Sequence, residues 1–551
     1  MFIITRGCIP ASVILILGPL SVSADSYPVN EFIDITHYRF ELTLSDETDE
    51  IIGTATIEAK FLRKGIRQLR LDLINRNADR DDRGMVVHSI AHNNEVLTFD
   101  HSGDVLLVDL PTPSRLNEVV DFEIKYSGVP ITGLLITENK YGERTFFSDN
   151  WPDKARNWLP TVDHISDKAT SEFLIIAPSH YQVVSNGLLQ EQSDLAGGLR
   201  LTHWKQSVPT SPWLYVLAAA KFAVQYVDEF DHKSIQTWVY HQDRDAGFYD
   251  FAVPTRQALE FFSSYVGPFA YEKLANIQSN SVGGGMEAAS AILYGEDSVT
   301  GQRTARWRSI IVHELAHQWF GNSVTEASWD DVWLSEGFAT YFTQLFFEYA
   351  DGHDAFVKRM IAARDRIFEF HAEDPGYRIV HDNLDDMSKV TTRQTYDKGA
   401  WILHMLKNEI GDESWWLGIR NYYRKNMNSH ATTEDFRFEM ETACGCDLGQ
   451  FFDQWLYQGG NVVLGGEWHY DESSSTLQIS MLQLQNGGFS FSVDVEVGVY
   501  TSDDPVPSVH RLDLTGKSGR LSIPLAVKPE KVVVDPRTVL LAQWFLTEKA
   551  K

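Results

Sequence analysis

The sequence predicts a multidomain α+β protein with an N-terminal antiparallel β-domain, a mainly helical domain and a small C-terminal β-sandwich. Three changes of pattern predict this order. Apolar and polar residues alternate up to about residue 235, apolar residues then recur at helical spacing up to Gly459, and alternation returns after Gly460. Period two is typical of half-buried strands, and a period near 3.6 is typical of helices. We therefore expect domains at residues 25–235, 236–459 and 460–551.

Each block contains elements that follow from its own pattern. In the first, Tyr38, Phe40 and Leu42 alternate with Arg39 and Glu41, as expected for strands with one buried face. The second has helical runs at residues 307–320, 332–349, 354–370 and 399–410. The third alternates at residues 489–499, where every second residue is Phe or Val. No Ser-, Pro- or Gly-rich linker separates the blocks, so we expect them to pack against one another.

Length and composition place the chain among globular proteins. Its 551 residues are 43% hydrophobic and 23% charged, a balance that supplies apolar cores and excludes intrinsic disorder. Lys and Arg number 48 against 76 Asp and Glu, so the net charge is -28. Because such a charge repels a phosphate backbone, we expect no nucleic-acid partner.

Residues 1–24 have the pattern of a secretory signal peptide, in which a short apolar stretch ends in Val-Ser-Ala before Asp25. The stretch is shorter than the roughly 20 residues of a spanning helix, so we favour cleavage after Ala24 over an uncleaved membrane anchor. We expect a secreted or periplasmic chain with no integral membrane span after signal cleavage. That chain keeps Cys444 and Cys446, for which buried thiols or one small local loop are favoured over a redox site.

A metal-binding pattern lies in the run HELAH. His313 and His317 are four residues apart, so on a helix their side chains share one face, with Glu314 beside them. Zinc in a hydrolase usually takes three protein ligands and leaves a fourth position to water. Glu336 follows His317 after 18 intervening residues, enough to end one helix and enter another. We predict one Zn²⁺ per chain, held by His313, His317 and Glu336, with Glu314 as the general base.

The second of these helices has its own start signal. Asp330 and Asp331 precede an apolar stripe that includes Trp333, Leu334 and Phe338. Acidic residues are favoured at a helix N-terminus, where they accept backbone hydrogen bonds and complement the helix dipole. We interpret both aspartates as N-terminal capping and helix-dipole residues in preference to catalytic ones, and we expect the stripe to pack on the first helix.

Over essentially the whole mature chain, the sequence resembles the M1-family (gluzincin) zinc aminopeptidases, the group that includes the leukotriene A4 hydrolases. The strongest match is HELAHQWFGNSVTEASWDDVWLSEGFATYF. Upstream, GGGMEAAS resembles the family's Gly-x-Met-Glu-Asn strand and places Gly284, Gly285, Met286 and Glu287 on its first four positions. Downstream, TYDKGAWIL resembles the segment that holds the family's catalytic tyrosine, here Tyr396.

The resemblance implies a thermolysin-like catalytic domain that hydrolyses the N-terminal residue from peptides. It implies that Tyr396 donates a hydrogen bond to the oxyanion and that Gly284, Gly285, Met286 and Glu287 bind substrate. Glu287 is expected to pair with the free amine of a peptide, which is largely an ammonium near neutral pH. Met286 is either a core filler or a wall of the first specificity pocket. Peptides with a free N-terminus are the predicted partners, and the sequence makes no prediction of oligomeric state or preferred N-terminal residue.

Two positions depart from the family pattern. Ala288 stands where the family motif has asparagine, and Trp151 stands where many members offer a second acid or glutamine to the substrate amine. Asp149, two residues earlier, is either a substitute for that group or an ordinary loop acid. The alternatives are a zinc endopeptidase or an epoxide hydrolase on the same scaffold, or a catalytically silent peptide-binding protein. An endopeptidase would have no use for Glu287.

Overall fold

The computed structural model describes residues 25–302, 306–382, 384, 386–485, 490–502 and 504–549. The predicted signal peptide and Phe489 of the predicted C-terminal alternation lie outside the described residues. The predicted multidomain α+β fold is confirmed, because a β-rich part, a helical part and further sheets follow one another along the chain. No helix among the described residues is both long and apolar enough to cross a membrane.

The N-terminal part is built mainly of strands. They are β1 (Ile33–Thr43), β2 (Ile51–Phe61), β3 (Gln68–Asp72), β4 (Gly84–His92), β5 (Glu95–Val96), β6 (Phe99–Ser102), β7 (Val105–Asp109), β8 (Glu118–Val129), β9 (Leu134–Glu138), β10 (Arg144–Ser148), β11 (Ala169–Pro178), β12 (Gln182–Ser185), β13 (Leu188–Leu195), β14 (Leu199–Thr210) and β15 (Leu217–Ala220). One sheet has the order β13-β14-β11-β1-β2-β8-β4-β5, antiparallel except where β1 runs parallel to β11. Smaller sheets have the orders β12-β15-β10-β9 and β3-β7-β6. The alternation correctly predicts which face of β1 lies in the core, because Tyr38, Phe40 and Leu42 are all buried.

The middle part combines a mixed sheet with helices. Its strands are β16 (Phe222–Phe230), β17 (Lys233–Tyr240), β18 (Lys273–Ser279), β19 (Gly285–Met286), β20 (Ala291–Gly295), β21 (Val324–Glu326) and β22 (Ser429–Ala431). Its helices are α1 (Arg244–Tyr265), α2 (Arg308–His317), α3 (Trp333–Asp351), α4 (His353–Glu373), α5 (Gly399–Ile410), α6 (Asp412–Asn426), α7 (Thr433–Cys444) and α8 (Gly449–Leu456). The sheet order β16-β17-β18-β20-β19 leaves β19 at an edge. Since β16 belongs to this sheet, the middle part of the structure begins at Phe222, which is earlier in the chain than the boundary of 236 predicted from the sequence.

The helices that matter most for the site are α2 and α3, two of the four predicted from helical spacing. Residues 333–347 of α3 are buried without interruption, so this helix lies inside the middle part. Phe320, just after α2, packs against Phe338 and Phe342 of α3 with ring centroids 4.9 Å and 4.6 Å apart. This aromatic contact fixes the spacing of the two helices that carry the predicted metal ligands.

The C-terminal part consists of two packed sheets. Its strands are β23 (Val462–Asp471), β24 (Thr476–Gln483), β25 (Val493–Thr501), β26 (Asp504–Leu514), β27 (Ser518–Pro524), β28 (Lys531–Val534) and β29 (Ala542–Glu548), in the sheet orders β27-β24-β23-β29 and β26-β25-β28. Their buried residues form one continuous core with the middle part, where Phe491 lies 5.0 Å from Trp455 of α8 between ring centroids. The predicted packing of this block against its neighbour is therefore observed.

A lysine joins the N-terminal part to the middle part. The ammonium of Lys168 donates hydrogen bonds to the carbonyl oxygens of Asn322, Ser323 and Ser429, each at 2.9 Å. The first two carbonyls belong to the connection between α2 and α3. The β-rich part therefore anchors the turn that separates the two predicted metal-binding helices.

The two cysteines of the predicted mature chain form a disulfide at the end of α7. Cys444 bonds to Cys446 across Gly445, which has a positive φ of 66° and ends the helix. Of the alternatives that the sequence left open, the small local loop is the one observed.

Candidate active site

The predicted metal ligands lie on α2 and α3. His313 and His317 are one turn apart on α2, and Glu336 lies in the first turn of α3. Between the helices the chain turns at Gly321, whose φ is +105°. A Cβ at this position would lie 2.2 Å from Ser335 Oγ and 3.1 Å from His317 Nδ1. The turn therefore needs glycine both for its backbone angle and for the close approach of α3.

Three ligand atoms converge on one point. His313 Nε2 lies 3.1 Å from His317 Nε2, and Glu336 Oε2 lies 3.4 Å from the former and 3.3 Å from the latter. Zinc binds nitrogen and oxygen at about 2.0–2.2 Å, so two ligands of a tetrahedral ion lie about 3.3–3.6 Å apart. Glu336 Oε2 is buried and accepts no hydrogen bond from the described residues. The donor set therefore fits a zinc ion.

The other nitrogen of His317 is held by the turn between the helices. Its Nδ1 lies 3.1 Å from the carbonyl oxygen of Phe320 and 3.1 Å from Ser335 Oγ. A carbonyl oxygen only accepts hydrogen bonds, so Nδ1 carries the proton in this contact. In a neutral imidazole the lone pair is then on Nε2, the atom that faces His313 and Glu336. The surroundings select the tautomer that can bind a metal.

Carboxylates dominate the buried cluster, since Glu287, Glu314 and Glu336 all lie around His317. Burial lowers the pKa of His317, but the charges of Glu287 and Glu336 raise it to about 10. Burial raises the pKa of Glu336, but His317 and His313 lower it to about 2. Both shifts mean that the cluster favours added positive charge, which a divalent cation supplies.

Glu314 follows His313 on α2, and its side chain lies against the backbone of β19. A Cβ on Gly285 would lie 2.2 Å from Glu314 Oε1, so only glycine leaves room for the carboxylate. Ligand atoms of Glu314, Glu287 and His317 all lie within 4.8 Å of one another. Burial raises the pKa of Glu314 well above its ordinary value, and the charge of Glu287 adds to this effect. Such a carboxyl group beside the metal position is suited to accept a proton.

Glu287 is fixed by the end of α2. Its carboxylate Oε1 lies 3.9 Å from His317 Nε2. Its carbonyl oxygen accepts hydrogen bonds from Gln318 Nε2 at 2.9 Å and Asn322 Nδ2 at 2.6 Å. Gln318 Oε1 accepts a further bond from the amide of Ser290 at 3.0 Å, so one side chain bridges both ends of this segment. Sequence reasoning missed Gln318 and Asn322, although polar residues next to the HELAH run were a visible signal.

The strand before Glu287 is open on one side. In the part of the chain that the structure describes, β19 pairs with β20 alone, and the carbonyl oxygen of Gly284 accepts a hydrogen bond from Gly295 N at 2.8 Å. A Cβ on Gly284 would meet no atom of the described chain within 4 Å, whereas Gly285 is in contact with Glu314. Main-chain groups at a sheet edge are free to pair with an extended peptide. Met286 is buried, as its core-filling alternative requires.

Tyr396 lies in a π-helical turn that leads into α5, and its ring centroid is 6.0 Å from that of His313. The helices α3 and α5 approach backbone to backbone, since a Cβ on Gly337 would lie 3.0 Å from Gly399 Cα. This contact brings Tyr396 beside Glu336. Burial and the charge of Glu336 raise the pKa of the tyrosine well above its ordinary value. The phenol therefore keeps its proton and can donate a hydrogen bond.

The two departures from the family pattern have different surroundings. Trp151 packs edge-on against Trp213 and Trp329, with ring centroids 5.0 Å from each, so it serves the domain junction. Ala288 is buried. Asp149 pairs with Lys154 at 3.1 Å. Burial and the charge of Glu336 raise the pKa of Glu287 to about 7, and the charge of Asp149 adds a smaller part. Its role as a second amine-binding acid stays a prediction.

Asp330 and Asp331 bind distant partners instead of capping α3. The carboxylate of Asp331 accepts hydrogen bonds from Thr433 Oγ1 at 2.6 Å and Thr433 N at 3.3 Å, at the start of α7. Asp330 Oδ1 accepts one from the backbone nitrogen of Asp25 at 2.8 Å. The helix α3 itself follows Val332 with no side-chain capping bond. The predicted side-chain capping of α3 is wrong, because tertiary partners take both carboxylates, whereas the predicted helix-dipole role stays a prediction.

Comparison with known proteins finds two family models that match this sequence one after the other. A model of the peptidase M1 N-terminal domain matches residues 35–214, and a model of the peptidase family M1 domain matches residues 252–455. Glutamyl aminopeptidase of Bos taurus is 30% identical over 333 residues, which are 58% of this chain and 34% of that protein. Glutamyl aminopeptidase of Homo sapiens is 25% identical over 469 residues, 80% of this chain and 48% of that protein. Probable aminopeptidase 1 of Saccharolobus solfataricus is 24% identical over 448 residues, 77% of this chain and 54% of that protein.

Three metal-ligand side chains on two helices, with a buried glutamate beside them, are typical of metallopeptidases, and this chain belongs to that class. The two family models match in order along most of the described chain, and the chain belongs to peptidase family M1, as the sequence predicts. The matches span about a third to a half of the length of these relatives.

Proposed function

We propose that the chain is a zinc-dependent aminopeptidase that removes the N-terminal residue from peptides. One observation carries this proposal: the buried carboxylate of Glu287 follows an edge strand and lies 3.9 Å from the metal-facing nitrogen of His317. A carboxylate at this place can bind the α-ammonium of a peptide and so set the first peptide bond at the metal position. The related proteins named aminopeptidases support the same activity.

His313, His317 and Glu336 would hold the ion. Zinc, when bound, polarises the scissile carbonyl and lowers the pKa of water toward about 7. Glu314 takes the proton from the attacking water and delivers it to the leaving nitrogen, and Gly285 keeps its carboxylate in position. The proton therefore moves through one side chain in both halves of the reaction.

Tyr396 stabilises the oxygen of the scissile carbonyl as negative charge develops on it. Its protonated hydroxyl donates a hydrogen bond to that oxygen, a type of contact whose loss costs about 2.7–4 kcal/mol in other enzymes. Gly284, Gly285 and Met286 offer their main chain at the sheet edge, where an extended peptide can add as a strand. Strand pairing orients the substrate while Glu287 fixes its end.

A panel of amino-acid anilides tests this function, with and without a metal chelator. The panel includes a glutamyl anilide, because related proteins are named glutamyl aminopeptidases. We expect hydrolysis of free-amine substrates, loss of hydrolysis with chelator and recovery with added zinc. If N-acetylated peptides are hydrolysed at internal bonds as fast as peptides with a free amine, the chain is an endopeptidase and the proposed aminopeptidase activity is wrong. Binding of peptides with no turnover would favour the catalytically silent peptide-binding protein. Turnover of epoxides but not of peptides would favour the epoxide hydrolase.

We also propose that the chain is exported and that its mature form begins at Asp25. The short apolar stretch and the Val-Ser-Ala sequence before Asp25 support this. N-terminal sequencing of material exported by its own host is the test. A membrane-bound form that retains Met1 would support the anchor alternative.

A further inference from the structure

The first described residues lie against the connection that leads into α3. The backbone nitrogen of Asp25 donates a hydrogen bond to Asp330 Oδ1 at 2.8 Å, across 305 positions of sequence. The carboxylate of Asp25 lies 2.8 Å from His164 Nε2 and accepts a bond from the backbone nitrogen of Trp329 at 3.2 Å. Both the nitrogen and the side chain of Asp25 therefore contact one short turn.

The segment after Asp25 is also anchored. The backbone nitrogen of Tyr27 donates to Asp25 Oδ1 at 3.0 Å, and the Tyr27 ring stacks on the His164 ring with centroids 4.6 Å apart. The Tyr27 hydroxyl donates to the buried carboxylate of Asp72. These contacts hold Asp25 in place from the N-terminal part, so the position of its nitrogen is defined by the fold.

The turn that receives Asp25 continues directly into the helix that carries Glu336. Residues 329–331 form a 3-10 turn, and the amide of Glu336 donates to the carbonyl of Val332 at 3.1 Å. Asp331 ties the same turn to Thr433 at the start of α7. A contact that stabilises this turn therefore stabilises the first turn of α3.

Asp25 is also the residue that the sequence places immediately after the signal peptide. We propose that removal of residues 1–24 by a signal peptidase leaves an α-ammonium on Asp25 that binds the carboxylate of Asp330, so that Asp330 is a receptor for the chain's own processed N-terminus. Hydrolysis adds water across the Ala24–Asp25 bond, which leaves a carboxylate on Ala24 and an ammonium on Asp25. The inference rests on the proposed processing and is independent of the peptidase activity.

Cleavage changes the charge of the nitrogen that donates to Asp330 but leaves that nitrogen in the same place. Before cleavage the group that donates to Asp330 is a neutral amide, and afterwards it is a cation, because an α-amino group has a pKa near 7.7–8.0. Charge-assisted hydrogen bonds are roughly twice as strong as neutral ones. Processing therefore strengthens a contact that already exists and makes the start of α3 more resistant to local opening.

Hydrogen–deuterium exchange of the zinc-loaded full chain tests the inference. A site for a protease that leaves no residue behind is placed immediately before Asp25, and exchange of peptides covering residues 328–336 is compared before and after cleavage. We expect cleavage to slow this exchange by about 5-fold, as the stronger contact reduces local opening. Peptides from the C-terminal sheets serve as the internal reference.

Three variants make the comparison specific. A chain with one glycine inserted before Asp25 moves the ammonium by about 3.8 Å and should gain nothing on cleavage. Asp330→Asn should likewise lose the gain, whereas Glu31→Gln, an exposed acid on the same segment, should keep it. Equal exchange before and after cleavage, or the same gain in Asp330→Asn, would overturn the inference. A native N-terminus other than Asp25 would overturn it as well, without affecting the proposed peptidase activity.

Discussion

The proposed metal ligands and the proposed substrate strand, β19 with Glu287 after it, lie side by side but are held in different ways. His313, His317 and Glu336 project from two helices that pack through buried aromatic residues. Glu287 follows a strand of two residues. Its carbonyl oxygen is held by hydrogen bonds from the side-chain amides of Gln318 and Asn322. Helix packing supplies many contacts that act together, whereas the strand has few. We therefore expect changes at the metal ligands to be all or none and changes around the strand to be graded.

The largest effect is expected for His317→Ala, which removes one of three ligands. We expect zinc to fall from one per chain to none and hydrolysis to fall to background, because two ligands do not hold the ion. Elemental analysis and an anilide assay measure both. His404→Ala is the matched control, since His404 is a buried histidine on α5 outside the site and should keep its zinc. Full zinc content in His317→Ala would remove the proposed centre.

Glu314→Gln separates chemistry from metal binding. The amide keeps the shape of the side chain but cannot take a proton, so we expect turnover to fall by about 100-fold to 10,000-fold with zinc retained. Single-substrate kinetics and elemental analysis on the same preparation are the measurements. A variant with near-native turnover would assign the general base to another residue.

Glu287→Ala addresses the strand side of the comparison. Removing one partner of a buried charge pair costs about 2–5 kcal/mol, so kcat/KM for free-amine peptides should fall roughly 30-fold to several thousand-fold. Zinc content should not change. N-acetylated peptides lack the ammonium, and the wild-type chain should cleave them as poorly as the variant does. Equal kcat/KM for free and acetylated peptides in the wild type would contradict the role of Glu287.

Gly285→Ala tests whether the strand positions the base. The added Cβ would lie 2.2 Å from Glu314 Oε1, so the carboxylate must move. A displacement of about 1 Å in a catalytic site can cost about 100-fold, and we expect a loss of that size in kcat with zinc retained. Gly284→Ala is the neighbouring control, because its Cβ meets no described atom within 4 Å, and its loss should be clearly smaller. Equal losses in the two variants would contradict the close contact with Glu314.

The smallest effect is expected for Gln318→Ala. This change removes the bridge between the carbonyl of Glu287 and the amide of Ser290, while the bond from Asn322 remains. We expect kcat/KM for free-amine peptides to fall about 3-fold to 10-fold through a higher KM. Gln454→Ala is matched to it, since Gln454 bridges the carbonyl and amide of Ser492 in the same way far from the site. A similar rise of KM in Gln454→Ala would show a general loss of stability.

The sequence predicted the parts of the molecule that depend on local periodicity. The i,i+4 spacing of His313 and His317 and the apolar stripe of the next helix both arise within single helices, and alternation predicted strands such as β1. The placement of Glu287 and Tyr396 came only from resemblance to a family. Neither position has a local pattern that distinguishes it from an ordinary acid or tyrosine.

The missed features are contacts between distant segments. Asp330 looked like a capping residue because its neighbours in sequence begin a helix, yet its carboxylate is bound to Asp25, 305 positions away. Trp151 looked like a lost amine-binding position, yet it packs between Trp213 and Trp329. The strand β16 was assigned to the first block because alternation does not reveal which sheet a strand joins. Such pairings become visible only when the chain is folded.

The bonds made by Lys168 bear on how the catalytic part of this chain can be engineered. The two family models divide the chain at residues 35–214 and 252–455, which invites transplanting the second segment alone. Lys168 belongs to the first segment, but its ammonium satisfies three carbonyls of the second, two of them between the metal helices. A transplanted catalytic segment would lose this donor. The carbonyl of Asn322 would keep its bond from Thr325 Oγ1 at 3.0 Å, whereas any of the three carbonyls left buried and unpaired would cost about 1–3 kcal/mol. A portable version of this site must therefore carry the lysine with it or supply a new donor at the same place.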